Sequence, residues 1–145
     1  MGGIERRVVT VMFADLVGFT LAIEVAAALG DSELAAPLEQ GLAPWAGHHV
    51  VLGSGAVCLG SASHDLGLAA RVRGELDVAA SHLRQAIRTN DAVTAAPAAA
   101  RSRAELARTL YALDHRDDAS ELASDPVAGR RSSRVDLLDL PTLEA

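Results

Sequence analysis

The chain has 145 residues, of which half are hydrophobic and only 3% are aromatic, and its formal net charge is −6 with arginine as its basic residue throughout. An acidic surface repels phosphate backbones, which argues against direct nucleic-acid binding. The single cysteine, Cys58, excludes an internal disulfide. No apolar run reaches the roughly 18–20 residues that span a bilayer, so we expect a cytoplasmic protein without membrane contact.

The first element in chain order is an apolar segment rich in β-branched side chains, residues 5–14. This composition predicts a buried strand. The other strand candidate, Val50 to Leu52, is short and distant in sequence. We therefore expect one orphan N-terminal β-strand, whose backbone groups have no obvious partners.

From residue 21 the apolar period becomes helical, with Ile23 and Ala26 on one face. Ser32 is a suitable N-cap for the next helix, and Pro97 can open a later one. Helices are predicted over residues 33–46, 56–73, 76–90, 97–113 and 119–123. The expected fold is mainly α, with a strand fragment at 1–20, a helical domain at 21–125 and a disordered, flexible tail at 126–145.

Small and apolar residues recur at offsets that resemble tetratricopeptide repeats, in which stacked helical hairpins cross closely. The pattern repeats after 40 residues, longer than the usual 34, which predicts longer loops between units. The repeat positions are Gly30, Ala35, Leu66, Gly67, Gly74, Ala79, Leu83, Ala86, Leu106 and Ala119. An ordinary Ala-rich bundle is the alternative. Stacked hairpins would offer a concave surface to a protein or peptide partner.

The segment ERRVVTVMFADLVGFT, residues 5–20, resembles the first strand and turn of class III adenylate/guanylate cyclase domains. The resemblance implies that Asp15 binds Mg²⁺ or Mn²⁺ and that the next residues supply backbone groups near a triphosphate. Those residues are Leu16, Val17, Gly18, Phe19 and Thr20. The second metal aspartate, the base-selecting residues and the transition-state residues have no match, so we expect a vestigial site, no resident cofactor and no enzyme activity. The alternative is a cyclase-related subunit that binds metal-nucleotide through Asp15 and is inactive alone.

Residues 22–123 are similar to the C-terminal helical-repeat region of large bacterial signalling ATPases, which often begin with a class III cyclase domain. Related proteins end in a LuxR-type DNA-binding domain. The similarity rests on AALGDSELA, APWAGHHVVLGSGAVCLGS and LGLAARVRGELDVAASHLRQAI. It suggests a truncated remnant of a cyclic-nucleotide signalling or transcriptional regulator, acting as a non-catalytic interaction module of unknown oligomeric state.

Two other segments imitate functional sites. VVLGSGAVCLGS lacks the third glycine of a dinucleotide fingerprint and the lysine of a phosphate loop, so it is interpreted as a loop that leads into a tightly packed helix. The spacings of the histidines and the cysteine match no zinc pattern, which favours structural or surface roles. These side chains are His48, His49, Cys58, His64 and His82. Cys58 is expected to pack as a small hydrophobe.

The predicted tail contains RRSSR at residues 130–134 and DLLDLPTLEA at residues 136–145. The first is interpreted as a solvated linker, with a basophilic phosphorylation site or a basic patch as alternatives. The second is expected to fray, although its alternation of acidic and leucine residues would also suit docking into a groove.

Overall fold

The computed structural model describes residues 2–52 and 57–124, except for the side chains of residues 2–15. This part of the chain is mainly helical, which confirms the predicted fold class. Its elements are α1 (Gly2–Leu29), α2 (Ser32–Leu42), the 3₁₀ helix η1 (Ala43–Trp45), β1 (His49–Leu52), β2 (Val57–Ser61), α3 (Ala62–Val72), α4 (Leu76–Ala92), α5 (Ala96–Ala112) and α6 (Arg116–Ser124). The predicted tail at 126–145 lies outside the described residues. No helix in the described ranges is both long enough and apolar enough to cross a membrane.

The predicted N-terminal strand is wrong, because residues 5–14 lie within α1. A lone strand leaves its backbone groups unpaired, whereas a helix pairs them internally. A β-branched residue disfavours a helix by at most about 0.7 kcal/mol, so this composition does not prevent one. The hydrophobic periodicity of a short apolar run cannot distinguish a helix from a strand. The helix continues across the boundary predicted at residue 20, and Leu16 shares an apolar core with Ile23 on the same helix.

A β-hairpin separates α2 from α3. The strand predicted at Val50 to Leu52 is present as part of β1, which pairs antiparallel with β2. The helix predicted to begin at Ala56 begins at Ala62, because residues 57–61 pair with β1 instead. Cys58 is exposed and does not pack as a small hydrophobe. Asn90 on α4 accepts a hydrogen bond from the Ser61 backbone N–H at 2.9 Å, which fastens the hairpin to the helices.

Four inter-helix turns share one conformation. Each has a residue of positive φ at its centre, and the following N–H donates to the carbonyl five residues earlier, as Glu75 does to Ala70 at 2.9 Å. This hydrogen bond and the positive φ together define a Schellman motif, which commonly ends helices. The central residues are Gly30, Gly74, Thr94 and Asp114. The last three follow one another at 20-residue intervals, so a single helix with its turn is the repeating unit.

The prediction of longer loops between repeats is wrong for the 40-residue spacing. The turns within α3–α6 are short, and the additional length lies in α4 and α5, which have 17 residues each. The longer interval between Gly30 and Gly74 contains η1 and the β-hairpin. The cap of α2 also differs from the prediction: the Asp31 carboxylate, not Ser32, accepts hydrogen bonds from the Glu33 and Leu34 N–H groups.

The helices stack in sequence order, since each contacts the next, and α1 also contacts α3, which contacts α5. One apolar core joins α1, α2, β1 and α3, and a second joins α4, α5 and α6. The fourth residue of each helix that follows one of these turns is a buried alanine, which lets neighbouring helices approach closely. These residues are Ala35, Ala79, Ala99 and Ala119.

Candidate functional site

The segment that resembles a cyclase nucleotide loop is helical in this chain. Leu16 and Thr20 are buried, Val17 and Phe19 pack against the core, and a Cβ at Gly18 would meet nothing within 4 Å. Backbone N–H groups inside a helix are engaged by carbonyls one turn earlier, so they do not point at a ligand. The geometry implied by the resemblance is therefore not found at these five positions.

The metal role of Asp15 stays a prediction, because its side chain lies outside the described residues. Within the described side chains, no three histidine, cysteine, aspartate or glutamate residues lie together in a way that could hold a metal ion. His48 packs edge-on against Trp45 with ring centroids 5.7 Å apart, His64 is buried between helices, and Cys58 is exposed on β2.

The predicted repeat positions are structural. Gly30 and Gly74 have φ of 67° and 79°, in the left-handed region where glycine is unstrained. Gly67 gives Leu83 room to pack at the crossing of α3 and α4. The other positions are buried in the two cores or at helix crossings: Ala35, Leu66, Ala79, Ala86, Leu106 and Ala119.

A buried polar cluster, which sequence reasoning missed, links α1, α3 and α5. His64 Nδ1 lies 3.0 Å from Ser102 Oγ, and the Ser102 hydroxyl donates to the Ala98 carbonyl at 3.1 Å. The tautomer that satisfies both contacts at once is the one that carries its proton on His64 Nδ1, because the Ala98 carbonyl can only accept. Burial is the main cause that lowers the pKa of His64 to about 4, so the imidazole is neutral.

Asp65 follows His64 and is only 4% exposed. Burial, with a smaller contribution from Glu24, raises the pKa of its carboxyl to about 7, while Arg101 and the Thr20 hydroxyl act in the opposite direction. Arg101 also pairs with Glu24 at 2.6 Å, which joins α5 to α1. The four polar side chains at the centre of the cluster are buried, so the cluster has little access to a ligand and instead connects helices. They are Thr20, His64, Asp65 and Ser102.

An open groove lies elsewhere, between α4 and α6 with α5 beneath them. Its volume is about 490 Å³, which is within the usual range of ligand-binding clefts. The apolar side chains that line it come from all three helices: Ile87 from α4, Leu106 and Leu110 from α5, and Leu122 from α6. On each helix the lining residues lie three or four positions apart, as Leu106 and Leu110 do on α5, so the helical period brings them to one face. We call this feature the α4–α6 groove.

The two sides of the α4–α6 groove carry opposite charge. Arg84 and Arg88, four residues apart on α4, are exposed and have no acidic partner within 4 Å among the described residues. Asp118 and Glu121 lie on the α6 side. Arg103 also lines the groove, but it is buried and pairs with Asp91 at 2.6 Å. The groove can therefore contact an apolar side chain in its centre and a charged group at either side.

A second groove, of about 500 Å³, lies on another face of α5 and is lined mainly by small or polar side chains. Ala107, Ala119 and Ala123 contribute little apolar area there, and Arg108 beside them is engaged by Glu105. It has fewer large aliphatic side chains than the α4–α6 groove. The α4–α6 groove is therefore the stronger candidate for binding.

Sequence reasoning missed the α4–α6 groove except for Leu106, which it identified only as a repeat position. One sequence feature could have indicated this groove: Arg84 and Arg88 lie four residues apart on a predicted helix, next to the apolar Ile87. Comparison of the chain with protein-family models, with curated proteins and with solved structures finds no match.

Proposed function

We propose that this chain is a helical-repeat interaction module and that its α4–α6 groove binds a short peptide segment of a partner protein. The observation that carries the proposal is the combination of an apolar base with one arginine side and one carboxylate side. Short amphipathic segments bind such grooves by inserting aliphatic anchors, while flanking charges select and orient them.

The partner segment has a defined chemistry. Leucine-like side chains would pack on Ile87 and Leu122, the two aliphatic side chains of the groove that are only partly buried. A carboxylate would pair with Arg84 or Arg88, because these exposed guanidinium groups are not engaged by any acidic residue in the described part of the chain. Arginine presents a planar fork that binds carboxylates in a bidentate manner. We therefore expect leucine-containing acidic peptides to bind more tightly than basic ones.

The test uses three fluorescein-labelled synthetic peptides of twelve residues with the same leucine positions. Their remaining positions are aspartate, arginine or serine, respectively. Fluorescence anisotropy with the full chain should show the tightest binding for the aspartate peptide, and the affinity should fall as salt is raised. Equal affinity for all three peptides, or no binding of any, would overturn the proposal.

Variants of the protein locate the binding surface. The double substitution Arg84→Gln/Arg88→Gln should weaken binding of the aspartate peptide at least tenfold, equivalent to about 1.4 kcal/mol. The matched control is Arg108→Gln, which removes an exposed arginine from a different face of α5 and should leave the affinity unchanged. If the control weakens binding as much as the double substitution does, the peptide binds elsewhere.

A further inference from the structure

We propose that the outer face of α1 binds a second copy of this chain, with the two α1 helices packed antiparallel in a symmetric dimer. This face belongs to the first helix of the stack, and the α4–α6 groove to the last three, so the inference does not depend on the proposed function. Its basis is the apolar character of the face, a glycine that one chain does not explain, and the order of large and small residues along the helix.

The outer face of α1 is apolar and uncovered in the described part of the chain. Leu21 and Val25 are each 53% exposed, and Leu29 is 72% exposed. The helix packs on α2, α3 and β1 through its opposite side. End helices of stacked repeats normally present a polar outer face, and an apolar one marks an interaction surface. The residues that we call the α1 outer face are Gly18, Leu21, Ala22, Val25, Ala28 and Leu29.

The charge of this face favours a copy of itself as the occupant. All six residues of the α1 outer face are uncharged. Glu24 lies to one side of it and already pairs with Arg101 at 2.6 Å. A charged partner segment would lose hydration here without gaining an ion pair. A second copy brings an equally uncharged apolar face, so each face can cover the other.

Gly18 lies on this face without a reason inside the chain. Glycine is less favourable than alanine within a helix, yet a Cβ at Gly18 would meet no atom within 4 Å. Two other helical glycines differ, because a side chain of a neighbouring helix fills the space beside each: Leu83 beside Gly67, and Phe19 beside Gly41. Close approach of a helix from outside the chain would give Gly18 the same role.

The order of residue sizes makes the α1 outer face complementary to itself. Its central seam has residues at intervals of four, three and four, the spacing of paired helices: Gly18, Ala22, Val25 and Leu29. An antiparallel copy places Leu29 of one chain against Gly18 of the other. The same arrangement places Val25 against Ala22. A parallel copy would instead set large residues against each other and leave a gap between the small ones, which close packing disfavours.

Sedimentation equilibrium of the full chain tests the dimer. The average mass should rise with concentration from 15.0 kDa towards twice that value. Val25→Glu/Leu29→Glu should keep the protein at the monomer mass. The matched control, Val78→Glu/Val93→Glu, adds the same charge at exposed valines elsewhere and should dimerise as the wild type does. Three results would overturn the proposal: a mass of 15.0 kDa at all concentrations up to about 1 mM, growth beyond the dimer, or equal loss of dimer in both variants.

Gly18→Leu separates a fitted seam from general apolar attraction. The substitution adds an apolar side chain to an exposed position and improves helix propensity, so the monomer should fold. General attraction would strengthen association. A seam in which Leu29 occupies the space at Gly18 predicts at least tenfold weaker dimerisation. Unchanged or tighter dimerisation of Gly18→Leu would contradict the proposed packing.

Disulfide formation tests the antiparallel direction. In a Cys58→Ser background, which removes the chain's own exposed thiol, Gly18→Cys and Leu29→Cys proteins are mixed and oxidised. The antiparallel seam places these two positions opposite each other, so the mixed disulfide should predominate. Each protein oxidised alone should remain largely uncrosslinked. Efficient crosslinking of either protein with itself would show a parallel pair and overturn the proposed arrangement.

Discussion

Gly67 on α3 lies directly against the side chain of Leu83 on α4. A Cβ placed on Gly67 would be 2.6 Å from Leu83 Cγ and 3.3 Å from the Ala79 carbonyl oxygen. Both neighbours belong to the next helix, and Leu83 is fully buried, so neither can move aside freely. The crossing of α3 and α4 therefore requires glycine at this position.

Gly67→Ala should destabilise the protein by about 1–2 kcal/mol. The steric cost of overpacking is about 1–3 kcal/mol, and it is partly offset by the better helix propensity of alanine, about 1 kcal/mol. Urea denaturation measures the difference. The matched control is Gly18→Ala on α1, where the added Cβ meets no atom within 4 Å, so the propensity gain should appear as stabilisation. Equal effects of the two substitutions would contradict the close crossing.

The turns show which parts of the fold were visible in the sequence. Gly30 and Gly74 were identifiable because glycine marks a left-handed position, and Asp114, with the same conformation, lies 40 residues after Gly74, at the interval of the predicted repeat. Thr94 has the same conformation, with φ of 56°, but threonine is not a residue that marks such turns. The 20-residue unit therefore remained hidden, because one of its turn positions carries an atypical residue.

Thr94→Gly should stabilise the protein by about 0.5–1 kcal/mol. The left-handed conformation costs an L-residue roughly 1–2 kcal/mol, which exceeds the entropic cost of glycine, roughly 0.5–1 kcal/mol. The reverse experiment is Gly74→Ala, where φ is 79° and no atom lies within 4 Å of the added Cβ. It should destabilise by about 1 kcal/mol through backbone strain alone. Thermal and urea unfolding measure the stability of both variants. Destabilisation by Thr94→Gly together with stabilisation by Gly74→Ala would refute the common turn geometry.

The N-terminal segment and the groove show the limits of sequence reasoning. The apolar run at 5–14 has the composition of a strand, but whether it forms one depends on a partner strand, which is a tertiary property. The α4–α6 groove depends on how Arg84, Leu106 and Glu121 from three helices are brought together. Local spacing can place each residue on the face of its own helix, but it contains no information on which faces meet.

The hydrogen bond between Ser61 N–H and Asn90 Oδ1, at 2.9 Å, should hold the β-hairpin against α4. Asn90→Ala would leave a buried N–H without an acceptor, at a cost of about 1–3 kcal/mol. Hydrogen exchange of the Ser61 amide should accelerate more than that of amides in α5. The matched control is Thr89→Ala, whose hydroxyl donates only within α4, to the Gln85 carbonyl at 2.9 Å, and which should leave exchange at Ser61 unchanged. Slow exchange at Ser61 in Asn90→Ala would show that the hairpin is held by other contacts.

His64 and Asp65 should have opposite effects on stability as pH changes. The pKa of Asp65 is raised from 3.8 to about 7, so the folded state keeps a proton that the unfolded state loses, and stability falls as pH rises through that interval. The pKa of His64 is lowered from 6.5 to about 4, so the unfolded state binds the additional proton, and stability falls as pH is lowered from 6.5 towards 4. Between about 4 and 6.5 the two contributions largely cancel.

Asp65→Asn should remove one side of this cancellation. The free energy of unfolding would then rise with pH relative to wild type, by up to about 1.4 kcal/mol per pH unit between pH 4 and 6.5. Above pH 7 the variant should be the more stable protein, because it no longer holds a buried carboxylate. Urea denaturation at several pH values, with the surface substitution Asp77→Asn as the control, measures the difference. Parallel curves for Asp65→Asn and wild type would mean that Asp65 does not titrate abnormally in the folded protein, and that its charge is stabilised beside Arg101 at neutral pH.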